Sequence, residues 1–284
     1  MISKNAIIES KEITIGKNVT IGDNVEIKCP EYIKIGDNSV ITNNVKINCT
    51  SFEAGEYLFM CERVEVGRGG CYGPNSRVKI GKHVGIFEGT IINPSEMVEI
   101  GDDVGIGGDV MIWTHGAWLD VLQGFPADFG PVKIGSNVWL PARSIVLPNV
   151  TIGNDVVIGI NSIINRDLPS GCFAAGAPCK VIKEKVYPKK VTLSEQSIII
   201  KNIVGKWYDL HENKGIENIQ TKYEDGKIKL IQGENLTIYD IEKKVIEGYN
   251  NNVSEDLRDF LRRNGIKIYT DRFFTSMTPT WMNK

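Results

Sequence analysis

Residues 132–169, VKIGSNVWLPARSIVLPNVTIGNDVVIGINSIINRDLP, place an aliphatic side chain at every sixth position: Ile134, Leu140, Val146, Ile152, Ile158 and Ile164. Four residues after most of these stands a second small or β-branched residue, at Val138, Ser144, Val150, Val156 and Ser162. Gly135, Gly153 and Gly159 follow an aliphatic directly, often leading into Asn137, Asn154 or Asp155. A six-residue unit is too short for a helix pair or a propeller blade. It fits one short strand and one turn, the aliphatic pointing inward and the Gly/Asn/Asp residues supplying positive φ at the corner. Such units stack into a parallel β-solenoid, each coil touching only its neighbours. A β-sandwich would instead alternate with period two and space its turns irregularly, about 8–12 residues apart.

The same phase recurs upstream, at Ile15, Ile21 and Ile27, then Ile35, Ile41 and Ile47, then Ile80, Ile86 and Ile92, then Ile100, Ile106 and Ile112. Between these runs, near 28–34, 48–79, 93–99 and 113–133, the phase breaks, which reads as loops or changes of register.

The pattern resembles the hexapeptide-repeat acyltransferases over roughly residues 10–185. It is closest over 98–185, where the stretch quoted above is joined by AAGAPCKVIKE (174–184), and there it is similar to the galactoside and maltose sugar O-acetyltransferase branch. The resemblance implies a mainly β fold, a left-handed parallel β-helix over residues 1–188. Handedness comes from the resemblance alone, because parallel crossovers are normally right-handed. After Pro188 the six-residue phase disappears and Lys, Glu and aromatics take over, so residues 189–284 read as a small α+β domain. Ser194 caps an expected helix to about Asn213 with Ile199, Ile203, Trp207 and Leu210 on one face. Strands are expected at 227–231, 236–241 and 244–248. A second helix, capped by Ser254, carries Leu257, Phe260 and Leu261 inward and ends at Gly265; a last strand is expected at 266–269.

With 33 basic and 35 acidic residues in 284, the net charge is −2. That balance argues against a protein that grips nucleic acid or an anionic membrane surface. MISKNAIIES, at residues 1–10, has no apolar segment of the signal-peptide kind, and no run of about 18 apolar residues could span a bilayer. Six cysteines without a CxxC pair read as reduced thiols, so a cytoplasmic location is expected.

Three histidines narrow the search for a base. His83, in IGKHV, occupies a repeat turn, and His211 lies near the end of the expected first helix. His115 opens the stretch where the phase stops and about 20 residues protrude, MIWTHGAWLDVLQGFPADFGPVKIG at 111–135. Loops held on a rigid scaffold are where function concentrates. The resemblance implies that His115 is the general base of a direct acetyl transfer, taking the proton of an acceptor hydroxyl as it attacks acetyl-CoA. An imidazole suits that role near neutral pH.

The resemblance further implies an oxyanion donor in the Ala142 backbone N–H, and acetyl-CoA contacts at Trp139, Ala142, Ile160, Asn165, Arg166, Lys180 and Lys183. Arg166 and the two lysines would meet its phosphates. Glu88, Trp113 and Trp118 are candidates for the acceptor, the two indoles as surfaces for a sugar ring. No metal is expected, since a solenoid carbonic anhydrase needs three histidine ligands and only His83 and His115 lie in the repeats. A homotrimer, each site built between subunits, and a sugar or glycan acceptor are also implied. N-acetylation of an amino sugar nucleotide and a non-catalytic scaffold are the competing readings.

Overall fold

The computed structural model describes residues 1–67 and 69–283. The chain divides into two compact units, Met1–Lys189 and Lys190–Lys284, each with its own buried apolar cluster.

The first unit is a parallel β-solenoid with three faces. The inward residues form three ladders. Ile15, Ile35, Ala54, Ile80, Ile100, Ile134 and Ile152 line the first face. The second carries Ile21, Ile41, Met60, Ile86, Ile106, Leu140 and Ile158, with Ala174 beside it. Ile27, Ile47, Val66, Ile92, Ile112, Val146 and Ile164 line the third. Nearly all are fully buried.

Corners turn through left-handed residues such as Asn18, Asn137 and Asp155, at φ of 52°, 57° and 57°. Glycine ahead of such a corner is required by the neighbouring coil: a Cβ on Gly101 would stand 2.8 Å from the Gly135 carbonyl carbon. The carboxamide or carboxylate that follows closes the turn vertically, as where Asn154 Oδ1 accepts from Ser136 N at 2.8 Å and Asp102 Oδ1 accepts from Lys82 N at 2.7 Å. These bonds explain why the repeat prefers Gly followed by Asn or Asp.

The ladders also show where the chain departs from its phase. Steps from first to second face and from second to third are six residues throughout. Every irregularity falls at the corner from third to first face: Ile27 to Ile35 spans eight residues, Val66 to Ile80 fourteen and Ile112 to Ile134 twenty-two. Two expected breaks are therefore smaller than the sequence suggests. Residues 28–34 lie in one continuous strand, Glu26–Ile35, that rounds the corner. Within 48–79 the strands Ser51–Ala54, Phe59–Met60 and Glu65–Val66 keep the solenoid going. Their inward residues are Ala54, Met60 and Val66 rather than isoleucine, which hides the phase.

The second unit holds a helix, Leu193–Tyr208, a four-stranded antiparallel meander and a helix, Asn252–Arg263. The meander runs Ile219–Glu224, Lys227–Gln232, Asn235–Asp240 and Val245–Gly248. The first helix is capped by Thr192 in a capping box with Glu195, and the second by Asn251 with Ser254, each cap lying ahead of the serine expected. The buried stripe of the first helix is Ile200, Ile203, Val204 and Trp207, while Ile199 and Leu210 are exposed. No strand forms at 266–269: the Ile268 carbonyl accepts from Arg258 Nη1 at 3.3 Å, and Arg258 Nη2 takes the carbonyls of Arg272 and Phe273. Among the described residues no helix is long and apolar enough to cross a membrane.

Candidate functional site

The third-to-first corner of three successive coils gathers a polar cluster around His115. One coil contributes the excursion that contains Gly69–Ser76, the next the short corner at Asn93–Met97, and the third the long excursion 114–131. The long excursion leaves the solenoid as a two-stranded ribbon, His115–Gly116 against Asp128–Phe129. It carries a 3-10 turn, Val121–Gln123, capped by Asp120, whose Oδ1 accepts from Leu122 N at 2.9 Å. Thr114, fully buried, anchors the ribbon: its hydroxyl donates to the Asn93 carbonyl at 2.8 Å and accepts from Glu96 N at 2.9 Å.

His115 therefore stands at the fixed root of the excursion rather than at its tip. Its ring stacks on Phe129, centroids 5.8 Å apart and planes 24° apart, and meets Trp113 edge-on at 6.0 Å. Nδ1 lies 2.9 Å from Ser95 Oγ. Ser95 Oγ also lies 3.2 Å from the Gly70 carbonyl and 3.3 Å from Asn93 Oδ1. Asn93 Oδ1 in turn accepts from the Cys71 thiol at 3.3 Å. Gly70 is close enough that a Cβ there would stand 3.9 Å from His115 Cε1 and Nε2. Burial pushes the Cys71 thiol above its ordinary range, so it is a poor nucleophile.

Ser95, Asn93, Gly70 and Phe129 are absent from the sequence-derived candidates. One signal could have found two of them: Asn93 pairs with Trp113 one coil on, so counting that coil back from His115 lands on Ser95.

The other candidates are spread around the coil. Trp113 lies beside His115, half-buried, whereas Trp118 is 95% exposed on the excursion. Glu88 belongs to the corner between second and third faces. There Asp109 N bonds the Glu88 carbonyl, Arg143 N the Gly108 carbonyl and Asn161 N the Ala142 carbonyl, which puts Glu88, Gly108, Ala142 and Ile160 in one column. Cys61 donates to Glu88 Oε2 at 3.7 Å. Trp139 lies on the outer side of the second face, in a row that runs through Val157 and Phe173 to Lys183. Lys180 pairs with Ala175 in the same sheet. Asn165 and Arg166, exposed, follow the third-face strand Ile163–Ile164, on His115's side of the coil.

The chain thus brings Trp113 to His115 and lines up Trp139 with Lys183, but it does not bring His115 to Ala142. The third face, roughly 10 Å of strand at about 3.3 Å per residue, lies between their columns.

His83 and His211 take structural places. His83 is a left-handed corner residue, φ 61°, with Nδ1 3.5 Å from Asp103 Oδ1, and His211 rests against the Tyr208 ring and carbonyl. Among the described residues no three His, Cys, Asp or Glu side chains form a group able to hold a metal ion.

Comparison with known proteins gives matches over the repeats. The family "Bacterial transferase hexapeptide (six repeats)" matches residues 131–166, and "Hexapeptide repeat of succinyl-transferase" matches 12–49. Galactoside O-acetyltransferase of Escherichia coli (strain K12) is 36% identical over 116 residues, 40% of this chain and 56% of that protein. A putative acetyltransferase of Saccharomyces cerevisiae is 40% identical over 116 residues, 40% of this chain and 58% of that one. The chain spans a little over half the length of these two relatives. Among solved structures, a galactoside acetyltransferase in complex with coenzyme A aligns at 27% identity and TM-score 0.33, covering 49% of this chain and 71% of that one. A polySia specific acetyltransferase aligns at 20% identity and TM-score 0.45, covering 74% and 100%.

Proposed function

We propose, from hexapeptide repeats similar to those of galactoside O-acetyltransferase, that this chain is an acetyl-CoA-dependent O-acetyltransferase. Its acceptor is a sugar hydroxyl of a bacterial surface polysaccharide or its precursor, and it works in the cytoplasm. The observation that carries this reading is His115, rooted where the long excursion leaves the solenoid and buttressed by Phe129, Trp113 and Ser95.

In the proposed reaction the neutral imidazole takes the proton of the acceptor hydroxyl while that oxygen attacks the thioester carbonyl. The Ala142 N–H faces the developing oxyanion. Collapse expels the CoA thiolate, to which the imidazolium returns its proton. Trp139 and Ile160 receive the pantetheine arm, with Asn165 near them in the proposed site. Arg166, Lys180 and Lys183 meet the phosphates, and Glu88, Trp113 and Trp118 bound the acceptor.

Because His115 and Ala142 lie in different columns of one chain, this site closes between two subunits, His115 from one and Ala142 from the other. A homotrimer provides three such sites. A monomeric mass in light scattering of an active preparation would contradict that assembly.

The test is CoA release from acetyl-CoA across saccharides, sugar nucleotides and amino sugars, with His115→Ala alongside. Acceptor-dependent release that falls by about 10²-fold or more in the variant supports the reading. Release driven only by an amine would turn it to N-acetylation. Absence of acetyl-CoA binding would leave a scaffold.

A further inference from the structure

We infer that Ser95 is the positioning residue of this site, holding the His115 proton on Nδ1 so that Nε2 is the basic nitrogen. The inference rests on the reading of His115 as the base. It follows from the neighbours of one hydroxyl group. Beside the Cys71 thiol, Ser95 Oγ has three nitrogen or oxygen atoms within reach: His115 Nδ1 at 2.9 Å, the Gly70 carbonyl oxygen at 3.2 Å and Asn93 Oδ1 at 3.3 Å. Two of the three only accept hydrogen bonds. Asn93 is held in that orientation, since its Nδ2 donates to the Gly69 carbonyl at 3.4 Å while Oδ1 accepts from the Cys71 thiol.

If the hydroxyl proton goes to either oxygen, the Ser95 lone pair faces Nδ1 and accepts Nδ1–H, and two hydrogen bonds form. If the hydroxyl donates to Nδ1 instead, Nε2 carries the proton, only one bond forms, and Asn93 Oδ1 keeps only the Cys71 thiol as donor. Ser95 and Asn93 are both buried, and in such surroundings the arrangement in which the hydroxyl makes two hydrogen bonds is favoured over the one in which it makes one. The hydrogen-bonding capacity of the cluster therefore selects the Nδ1–H tautomer. The stacked Phe129 and edge-on Trp113 set the plane of the ring, and the ring edge that carries Nε2 faces Gly70, where the missing side chain leaves room.

The device needs no carboxylate. A neutral hydroxyl, itself oriented by a carbonyl and a carboxamide from two neighbouring stretches, does what an acidic partner does for many catalytic histidines. The short 69–76 excursion thereby gains a role, since its Gly70 carbonyl is one of the two oxygens that draw the Ser95 hydroxyl proton away from Nδ1.

The experiment is long-range 1H–15N correlation of the histidine rings in the full-length protein at about pH 8.5, where an ordinary imidazole is neutral. His115 is assigned by its loss in His115→Ala. The wild type is expected to show the Nδ1–H tautomer, and Ser95→Ala a shift toward Nε2–H. In parallel, Ser95→Ala should lower kcat about tenfold while KM for acetyl-CoA stays within about twofold, and Ser95→Thr should restore both readouts. An Nε2–H wild type overturns the inference. So does an unchanged tautomer in Ser95→Ala, or equal losses in Ser95→Ala and Ser95→Thr, which would mark a merely structural role. A Ser95-dependent tautomer in a wild type that turns over no acceptor would uphold the assignment and remove the catalytic reading instead.

Discussion

The indole of Trp139 lies across the backbone of Gly105 on the preceding coil, so that a Cβ at residue 105 would stand 2.5 Å from Trp139 Cε3. The planar indole cannot bend, so it must swing away as a unit, because the strands themselves are held in register by Gly105 and Trp139. Gly105→Ala should therefore displace the exposed indole at a cost toward the low end of overpacking, about 1 kcal/mol. Urea unfolding measures that cost. If Trp139 receives acetyl-CoA as proposed, its dissociation constant should rise in the same variant.

In the second unit Asp256 is fully buried and accepts from Trp207 Nε1 at 2.7 Å, Lys214 Nζ at 2.8 Å and Met277 N at 2.6 Å. It ties the first helix, the segment after it and the C-terminal tail to the second helix. Asp256→Ala leaves the nearly buried Lys214 ammonium without its partner, so a loss of about 3–5 kcal/mol is expected. Thermal unfolding should show the second unit melting first; an unchanged melt would contradict this role.

Burial raises the pKa of Asp259, but hydrogen bonds from Ser276, Arg262 and Arg263 outweigh it and hold the carboxyl below its ordinary value. Its stabilising contribution is thus present above about pH 4 and is lost as pH falls through the lower folded value. Wild type should lose more stability than Asp259→Asn between about pH 5 and pH 2, and urea midpoints across that interval check the difference.

Five of the six cysteines are buried and Cys61 is half-buried. Burial pushes the Cys61, Cys71, Cys172 and Cys179 thiols up, and hydrogen bonding to Cys29 does the same for Cys49. A thiolate-selective reagent at neutral pH should modify Cys61 slowly and the other five only after unfolding. Rapid modification of two or more thiols in the folded protein would contradict this.

The six-residue phase made the solenoid and the His115 excursion legible in the sequence, because inward residues and corner glycines both follow from backbone geometry. Ser95 was legible only through register: a lone serine in a short corner carries no periodic signal of its own, and only its place one coil before His115 gives it meaning. The separation of His115 from Ala142 was within reach, since Ile112 is a third-face residue and Leu140 a second-face one. At 266–269 the propensity was right and the partner was missing. The fully buried Arg258 guanidinium claims the Ile268 carbonyl oxygen, which a strand there would have shared with a neighbour.

All the irregular lengths of the first unit fall at one edge of its three-sided coil, while the other two corners never change their count. That edge works as a socket. A segment inserted there need only begin and end at the same two ladder positions, and lengthening it adds closure entropy only logarithmically. The aliphatic ladders do not register what the socket holds, so excursions of different length and chemistry are interchangeable at the cost of the excursion alone. Grafting a foreign segment between Gly116 and Asp128 would then alter what meets His115 without disturbing the ribbon or the coils beneath it.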